Sequence, residues 1–285
     1  MKLSAILRAA SRALAFVIYI SSAILWQSFA LLVSRRARQR PARAAWLHRV
    51  AARCAQILHL QIYRHGSLPY TGLLVANHLS YIDIILLAAL RPCVFVSKME
   101  VEAWPLFGDC ARLGGTIFVN RSRRGMVASV AKEIDDALDA GVLVVLFPEG
   151  TSSCGTTVLP FKSALLEPVL HHHRPVVAAT ISYRLDEGSV TNEICYWRDM
   201  TLLPHLLNVW SKPTFSGTLR CGTARPRYGD RKSLARELHE EVAALHAAST
   251  RELGVRPPET VEQPLPVLVC GGKAAAEAEN AGRVV

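Results

Sequence analysis

The sequence predicts an α/β domain with a largely parallel central sheet flanked by helices, preceded by an apolar N-terminal helix. From about residue 61 onwards, short apolar runs alternate with amphipathic stretches. Apolar runs of this kind are typical of strands that are buried on both faces of a parallel sheet. The N-terminal helix is predicted by a separate observation, an uncharged and mostly apolar run at residues 13–33.

The composition is that of a globular protein. The 285 residues are 51% hydrophobic and 20% charged, which excludes a disordered or fibrous chain. Among the seven cysteines, no two lie within four residues of each other. This spacing excludes Cys-x-x-Cys zinc sites and redox pairs and is typical of reduced thiols. We therefore expect no metal and no cofactor.

The net charge of +10 is concentrated at the N-terminal end. Residues 1–82 contain eleven Lys and Arg, and the first acidic residue is Asp83. A basic segment of this kind predicts a polyanionic partner, either nucleic acid or an anionic membrane surface. The chain has no helix-turn-helix pattern, RNP-like aromatic motif or zinc finger, so we expect no nucleic acid and favour anionic membrane lipid.

Residues 1–40 are predicted to form a membrane anchor with basic flanks. About 20 helical residues cross a hydrocarbon core of ~30 Å, and the run at 13–33 is just long enough. Arg35 and Arg36 follow it in place of a cleavage site, which excludes a signal peptide. Basic residues are more numerous after the run than before it. This bias predicts the inner (cytoplasmic) membrane, with the rest of the chain facing the cytoplasm. The alternative is a buried core helix.

Residues 41–60 are predicted to form a basic amphipathic helix. Pro41 suits the first position of a helix. One stripe of this helix is apolar and consists of Trp46, Leu47, Val50, Cys54, Ile57 and Leu58. The pattern fits a helix in the membrane interface and equally a surface helix packed on its own domain.

The remaining elements follow in order along residues 61–252, the predicted catalytic domain. Strands are predicted at 73–76, 94–97, 116–120, 142–147 and 176–183, and later near 193–197 and 214–223. Helices are predicted at about 80–90, 101–113, 125–140, 163–172, 201–211 and 231–251. Residues 253–285 are rich in Pro and then in Ala, Glu and Gly, which predicts a mobile tail.

Asn77 to Asp83 is the first segment with candidate chemistry. His78 follows the strand at 73–76, and ligands of open α/β sheets bind at the carboxyl ends of strands. Residues five apart on one helix lie roughly 140° from each other. His78 and Asp83 therefore meet only if His78 lies in the turn before the helix, where Ser80 is a candidate N-cap. Asp83 then orients the imidazole as a base. A capping Asp and a structural His are the alternative.

A second candidate segment, Phe-Pro-Glu-Gly-Thr-Ser at 147–152, directly follows an apolar strand. Its proline and Gly150 predict a tight turn. Its backbone N–H groups and the hydroxyls at its end, including that of Thr151, predict an anion site. Glu149 repels anions, so the residues alone predict that it holds a hydroxyl or a basic side chain. A plain turn with a solvated Glu149 is the alternative.

Arg121 is the candidate anion-binding residue of a third segment. It again follows a predicted strand, at the same ligand-binding edge. The guanidinium group suits bidentate binding of phosphate. Arg123 and Arg124 are predicted to be solvated surface charges.

Three blocks occur in a fixed order: Asn77-His78-x4-Asp83, Phe118-Val-Asn-Arg121 and Phe147-Pro-Glu-Gly-Thr-Ser152. Together they resemble the PlsC-type glycerolipid acyltransferase family, the 1-acyl-glycerol-3-phosphate acyltransferases. Lys98, Trp104-Pro105, Phe107-Gly108 and Pro160-Phe161-Lys162 also look like that family. The resemblance covers about residues 60–220. In one departure, the family's fourth block often has two prolines, whereas Arg174-Pro175-Val-Val-Ala178 has one.

The resemblance implies an O-acyltransferase whose co-substrate is acyl-CoA or acyl carrier protein. His78 is then the general base, oriented by Asp83, and it takes the proton from the free hydroxyl of a lysophospholipid acceptor. Arg121, with Glu149 and Gly150, is implied to hold the phosphate region of that acceptor. No acyl-enzyme is needed, which agrees with the missing Gly-x-Ser-x-Gly elbow.

The expected acceptor is 1-acyl-sn-glycerol-3-phosphate, which gives phosphatidic acid in phospholipid biosynthesis. Another lysolipid, such as lyso-ornithine lipid, is the near alternative, because a guanidinium binds carboxylate as well as phosphate. More distant alternatives are a non-catalytic module that binds the membrane surface and a hydrolase that needs no thioester.

Overall fold

A seven-stranded sheet lies at the centre of the described residues, which are 3–120, 126–171 and 174–252 of the computed structural model. The strands are β1 (Leu60–His65), β2 (Gly72–Ala76), β3 (Cys93–Lys98), β4 (Ile117–Val119), β5 (Leu143–Leu146), β6 (Val176–Arg184) and β7 (Phe215–Cys221). Their spatial order is β1-β7-β6-β2-β5-β3-β4. Each neighbouring pair is parallel except β6 and β7. The predicted fold class is therefore confirmed.

Helices cover both faces of this sheet. They are α1 (Leu3–Val33), α2 (Arg40–Leu58), α3 (Ile82–Leu90), α4 (Phe107–Gly114), α5 (Met126–Asp139), α6 (Glu167–His171), α7 (Val190–Glu193), α8 (Leu202–Ser211) and α9 (Arg231–Glu252). Consecutive side chains of the fully buried strand β2 point into different cores. Leu74 and Ala76 pack with α2 and α3, whereas Leu73 and Val75 pack with α5 and α9. Burial on both faces explains why its sequence is continuously apolar.

The parallel pairing of β2 and β5 brings two predicted segments to one edge of the sheet. Val75 pairs with Leu146, so the two strands end side by side. The turns that follow them carry His78 and Glu149, 71 residues apart in the chain. Parallel strands end at a common edge, so these turns lie next to each other.

The strand predicted near residues 193–197 was wrong. The short helix α7 ends at Glu193, and the following residues form an irregular segment. Ile194 and Cys195 are fully buried, which accounts for the apolar pattern. The segment is attached to the rest of the fold outside the sheet, because the Tyr196 N–H donates to the Leu79 carbonyl at 2.8 Å. A short apolar run does not by itself distinguish a strand from a buried loop.

Two further elements differ from the prediction. The helix expected at 101–113 is divided into a 3-10 helix at Met99–Ala103 and α4, which begins at Phe107. Pro105 lies between them, and a proline disfavours helical conformation at the residue before it. Strand β1 was not predicted, because most of its residues are exposed and its apolar pattern is weak.

Helix α1 is longer than the predicted run, with 31 residues, and it lies along the domain. By length and composition it is the one helix among the described residues that could cross a membrane. One stripe packs against the domain and includes Ala9, Arg12, Phe16, Ile20 and Gln27. The rest of its surface exposes large apolar side chains, including Leu14, Ile18, Leu25, Trp26, Phe29 and Leu32. The domain therefore covers one stripe of the helix and leaves its opposite face exposed.

Two arginines attach α1 to the carboxyl end of α8. Arg12 is 6% exposed and donates to the carbonyl oxygens of Trp210, Lys212 and Pro213 at 3.1, 2.5 and 2.9 Å. Arg8 donates to the Ser211 carbonyl at 2.9 Å. The last carbonyls of a helix have no partner within it and carry partial negative charge, so guanidinium groups stabilise them.

Helix α2 has the predicted apolar stripe, and the domain covers that stripe. Trp46, Leu47, Val50, Cys54 and Leu58 are buried in the core shared with α3. The second interpretation of this segment, a surface helix packed on its own domain, is therefore the correct one for its apolar face. The exposed bases near α2 are Arg35, Arg36, Arg38, Arg49 and Arg53.

Candidate active site

The predicted contact between His78 and Asp83 is confirmed. His78 lies in the turn between β2 and α3, and Asp83 lies in the first turn of α3. The His78 Nδ1–H donates to Asp83 Oδ2 at 2.7 Å, because a carboxylate oxygen can only accept. In the neutral ring, the other nitrogen, Nε2, is then the one that can accept a proton. The His78 ring also stacks on Phe147, with centroids 4.2 Å apart, which fixes its plane.

Asp83 is fully buried and accepts four hydrogen bonds. Its Oδ2 accepts hydrogen bonds from His78 Nδ1–H and from the backbone N–H groups of Leu79 and Ser80, the last two at 2.7 and 3.1 Å. Its Oδ1 accepts the hydroxyl of Tyr183 at 2.6 Å. Burial of a carboxylate is costly unless it is fully hydrogen-bonded. Here both oxygens of Asp83 accept hydrogen bonds. The arrangement holds Asp83, and through it His78, in one position.

The candidate cap at Ser80 was wrong. Helix α3 has no side-chain cap, and the Ser80 hydroxyl is buried without a partner in the described part of the chain. The carboxylate of Asp83 instead accepts hydrogen bonds from the backbone N–H groups of Leu79 and Ser80, which precede the helix. An acidic group in the first turn of a helix also interacts favourably with the helix dipole.

Tyr183 on β6 was not identified from the sequence. It lies 100 residues after Asp83 and is 5% exposed. Burial, and next the charge of Asp83, raises the pKa of its phenol well above the ordinary value. The hydroxyl therefore stays protonated and donates to Asp83. A buried tyrosine at the end of an apolar strand is a weak signal, because the sequence does not reveal its partner.

Glu149 holds the backbone of His78. Its Oε1 accepts the His78 N–H at 3.1 Å, and the side chain is 3% exposed. The alternative of a solvated Glu149 is therefore wrong. The same turn makes a second contact, in which the Ser153 N–H donates to the His78 carbonyl at 2.9 Å. The turn after β5 thus fixes the backbone of His78 on both sides, and the predicted binding role of Glu149 stays a prediction.

Burial raises the pKa of Glu149 to about 8, although hydrogen bonds from the backbones of His78 and Leu159 lower it. Between pH 4.5 and about 8, the folded protein therefore keeps a proton on Glu149 that the unfolded chain has already lost. In this window the free energy of unfolding contributed by Glu149 falls as the pH rises, because the folded state binds more protons.

Replacing Glu149 with glutamine is expected to remove this pH dependence. Glutamine keeps an oxygen for the His78 N–H and does not titrate. Relative to the wild type, the variant should gain about 3 kcal/mol between about pH 5 and pH 8. Thermal unfolding of both proteins across this range measures the difference. Glu187→Gln, at an exposed position, is the control, and parallel curves for wild type and Glu149→Gln would contradict the assigned shift.

Gly150 and Thr151 line the same cleft as His78. Gly150 has φ +73°, which favours glycine, and its N–H donates to the Phe147 carbonyl at 3.0 Å to close the predicted turn. The neighbouring Ser152 hydroxyl donates to the Tyr196 carbonyl, so it holds the irregular segment after α7. Thr151 also lines the cleft, and its predicted role in binding an anion stays a prediction.

Several predicted residues lie outside the described part of the chain. Arg121, with Arg123 and Arg124, falls in the stretch 121–125, and the predicted tail at 253–285 falls there as well. Within the described ranges, no group of three His, Cys, Asp or Glu side chains could hold a metal ion. The binding role of Arg121 remains an expectation from the sequence.

A second, apolar pocket adjoins the cleft. Tyr81, Ile84 and Trp104 line both cavities. The pocket extends between the sheet and helices α1, α2 and α4, where its walls include Phe16, Ile20, Val50, Phe95, Phe107 and Ala111. Nearly all of its lining is apolar, and the neighbouring cleft contains His78. The site thus combines a polar cleft having a candidate base with a pocket suited to an alkyl chain.

Comparison with known proteins finds matches in one family. The family model described as Acyltransferase matches residues 61–182. The lyso-ornithine lipid O-acyltransferase of Brucella abortus is 36% identical over 220 residues, which are 70% of this chain and 80% of the relative. The 1-acyl-sn-glycerol-3-phosphate acyltransferase of Neisseria gonorrhoeae is 30% identical over 181 residues, 63% of this chain and 71% of the relative.

A solved structure shows the same fold. The crystal structure of the 1-acyl-sn-glycerophosphate acyltransferase PlsC from Thermotoga maritima superposes with a TM-score of 0.60. It is 21% identical, and the match covers 88% of this chain and 95% of that one. The sequence blocks, the family model, the relatives and the fold agree, and the chain belongs to the PlsC-type acyltransferase family.

Proposed function

We propose that this enzyme transfers a fatty acyl group from an acyl thioester to the free hydroxyl of a lysolipid. The observation that carries the proposal is the His78–Asp83 pair, with Nδ1 bound to the carboxylate at 2.7 Å and the ring facing the cleft. The adjoining apolar pocket supports a substrate with a long alkyl chain. The relatives in Brucella abortus and Neisseria gonorrhoeae are both named as lysolipid acyltransferases, which supports the same class of acceptor.

In the proposed reaction, His78 Nε2 accepts the proton of the lysolipid hydroxyl as that oxygen attacks the thioester carbonyl carbon. Asp83 stabilises the imidazolium that forms, because its charge lies against Nδ1–H. The tetrahedral intermediate then collapses, the C–S bond breaks, and the departing sulfur takes the proton from Nε2. An O-acyl ester and a free thiol result, and His78 returns to its starting state.

Two acceptors are candidates. We keep 1-acyl-sn-glycerol-3-phosphate, which gives phosphatidic acid, as the acceptor that the sequence blocks predict. Lyso-ornithine lipid is the second candidate, supported by the relatives of that name, which include those in Brucella abortus and, at 32% identity, Rhizobium meliloti. The donor is proposed to be acyl-CoA or acyl carrier protein, and no cofactor is proposed.

Helix α1 is proposed to lie along one leaflet of the inner membrane, with the catalytic domain on the cytoplasmic side. Its uncovered face is apolar over the whole length of the helix, and its other face is held to the domain by Arg8 and Arg12. A helix attached lengthwise to a polar domain cannot cross the bilayer without taking that domain with it. The exposed arginines before and within α2 suit anionic lipid headgroups.

An acyl-transfer assay tests the proposed function. The full chain in isolated membranes is supplied with radiolabelled acyl-CoA or acyl carrier protein and a panel of lysolipids. We expect label in a diacyl product with at least one acceptor and no product without a thioester. Cleavage of lysolipid in the absence of thioester would instead indicate a hydrolase, and membrane binding without transfer would indicate a non-catalytic module.

Filling the apolar pocket is expected to shorten the acyl chains that the enzyme uses. Ala111 on α4 lines this pocket, so Ala111→Trp should lower kcat/KM about tenfold for long-chain substrates and much less for short-chain ones, since the lost apolar contact grows with each methylene. Rates for a series of chain lengths measure this effect. Ala244→Trp, at an exposed position on α9, is the control. An equal loss of kcat/KM at all chain lengths would show that the acyl chain binds outside this pocket.

A further inference from the structure

Two side chains of opposite charge line the cleft. Arg198, in the irregular segment after α7, and Glu100, in the 3-10 helix after β3, are both exposed and line the same cleft as His78. Within the described ranges, neither forms an ion pair, with the other or with any further side chain. Lys98 is the remaining charged residue of this lining. Two exposed charges of opposite sign that are not paired with each other leave both available to a substrate.

The backbone at Arg198 is held in an unfavourable conformation. Its φ is +54°, in the left-handed region that non-glycine residues rarely adopt. Hydrogen bonds to the preceding residues hold it there: Tyr196 binds Leu79 through its N–H and Ser152 through its carbonyl, and the Trp197 Nε1–H donates to the Thr191 carbonyl at 2.9 Å. Such strain persists where the surroundings enforce it, and it is frequent at ligand-binding sites.

The guanidinium of Arg198 is also placed by an aromatic ring. Its central carbon lies 4.1 Å from the centroid of Trp197, whose own ring is fixed by the hydrogen bond of its Nε1–H. This stacking leaves the edge of the guanidinium and its N–H donors free for a planar carboxylate. The side chain is thus oriented before any substrate binds, which lowers the entropy lost on binding.

We propose that Arg198 and Glu100 bind the headgroup of the acceptor, and that this headgroup is zwitterionic, with a carboxylate for Arg198 and an ammonium for Glu100. An amino acid headgroup such as ornithine has both groups. A phosphate monoester suits Arg198 but is repelled by the carboxylate of Glu100. The inference rests on the proposed acyl transfer, and among its candidate acceptors it selects lyso-ornithine lipid.

The test measures acyl transfer by the full chain in membranes with lyso-ornithine lipid and with 1-acyl-sn-glycerol-3-phosphate. Arg198→Gln is expected to raise the KM for lyso-ornithine lipid about tenfold, the effect of one lost charged hydrogen bond, and to leave the KM of the donor unchanged. Glu100→Gln is expected to raise the KM for lyso-ornithine lipid and to lower that for the phosphate acceptor. The ratio of kcat/KM should then move about tenfold towards phosphate.

Matched controls are Glu102→Gln, in the same 3-10 helix but outside the cleft lining, and Arg184→Ala, at an exposed end of β6. Both should keep the wild-type preference. A rise in the donor KM with Arg198→Gln would assign the anion site to the phosphates of the donor and overturn the proposal. Equal losses for both acceptors with Glu100→Gln, or a wild type that acylates only the phosphate acceptor, would also overturn it. In each of these cases acyl transfer itself continues, whereas failure of the proposed function abolishes transfer to every acceptor.

Discussion

Replacing His78 with alanine is expected to lower kcat by at least about 100-fold, the smaller end of the range for a lost general base. The ring is the one group in the described cleft that combines a free nitrogen lone pair with a buried carboxylate behind it. Without it, the lysolipid hydroxyl must lose its proton to water while attacking the thioester. Initial rates of acyl transfer at saturating donor and acceptor measure the effect.

His78→Gln extends this test, because glutamine keeps a polar side chain beside Phe147 but has no basic nitrogen. It should be as inactive as His78→Ala. The matched control is His65→Ala, an exposed histidine at the end of β1, which should keep full activity. The backbone of residue 78 is held by Glu149 and Ser153, so we expect both His78 variants to fold. A folded His78→Ala protein with wild-type turnover would exclude the proposed mechanism.

Asp83→Asn is expected to lower kcat about 100-fold, with a much smaller change in the acceptor KM. Three N–H groups point at the position of Oδ2, so the amide oxygen should occupy that position and keep the bond to His78 Nδ1–H. The amide nitrogen then faces Tyr183, whose hydroxyl can turn from donor to acceptor. The fold is thus retained, and what is lost is the negative charge that stabilises the imidazolium.

The separation of kcat from KM is what distinguishes this positioning role from a structural one. Asp83→Ala leaves several buried donors without an acceptor and is expected to destabilise the protein instead. Asp186→Asn, at an exposed position, is the matched control and should change neither constant. If Asp83→Asn raised the acceptor KM and left kcat intact, Asp83 would belong to the binding site rather than act through His78.

The elements that could be predicted are those in which neighbouring residues determine the outcome. The buried strands β2 and β5 have uninterrupted apolar sequences, and α2 has an apolar stripe at helical spacing. The segment at 193–197 shows the limit of this reasoning. Its buried residues have the same pattern as a strand, but Ile194 and Cys195 donate to the Val190 carbonyl of α7, and Tyr196 donates to Leu79, far away in the chain.

The sequence by itself determined the α/β class. It also predicted the pairing of His78 with Asp83 through the family resemblance, since five residues of separation allow that contact only across the start of a helix. Only the tertiary structure revealed that Tyr183 binds Asp83 from 100 residues away and that Glu149 holds His78 from 71 residues away. It also decided that the domain covers one face of α1. These contacts depend on which strands become neighbours, and strand order results from packing of the whole chain rather than from any local pattern.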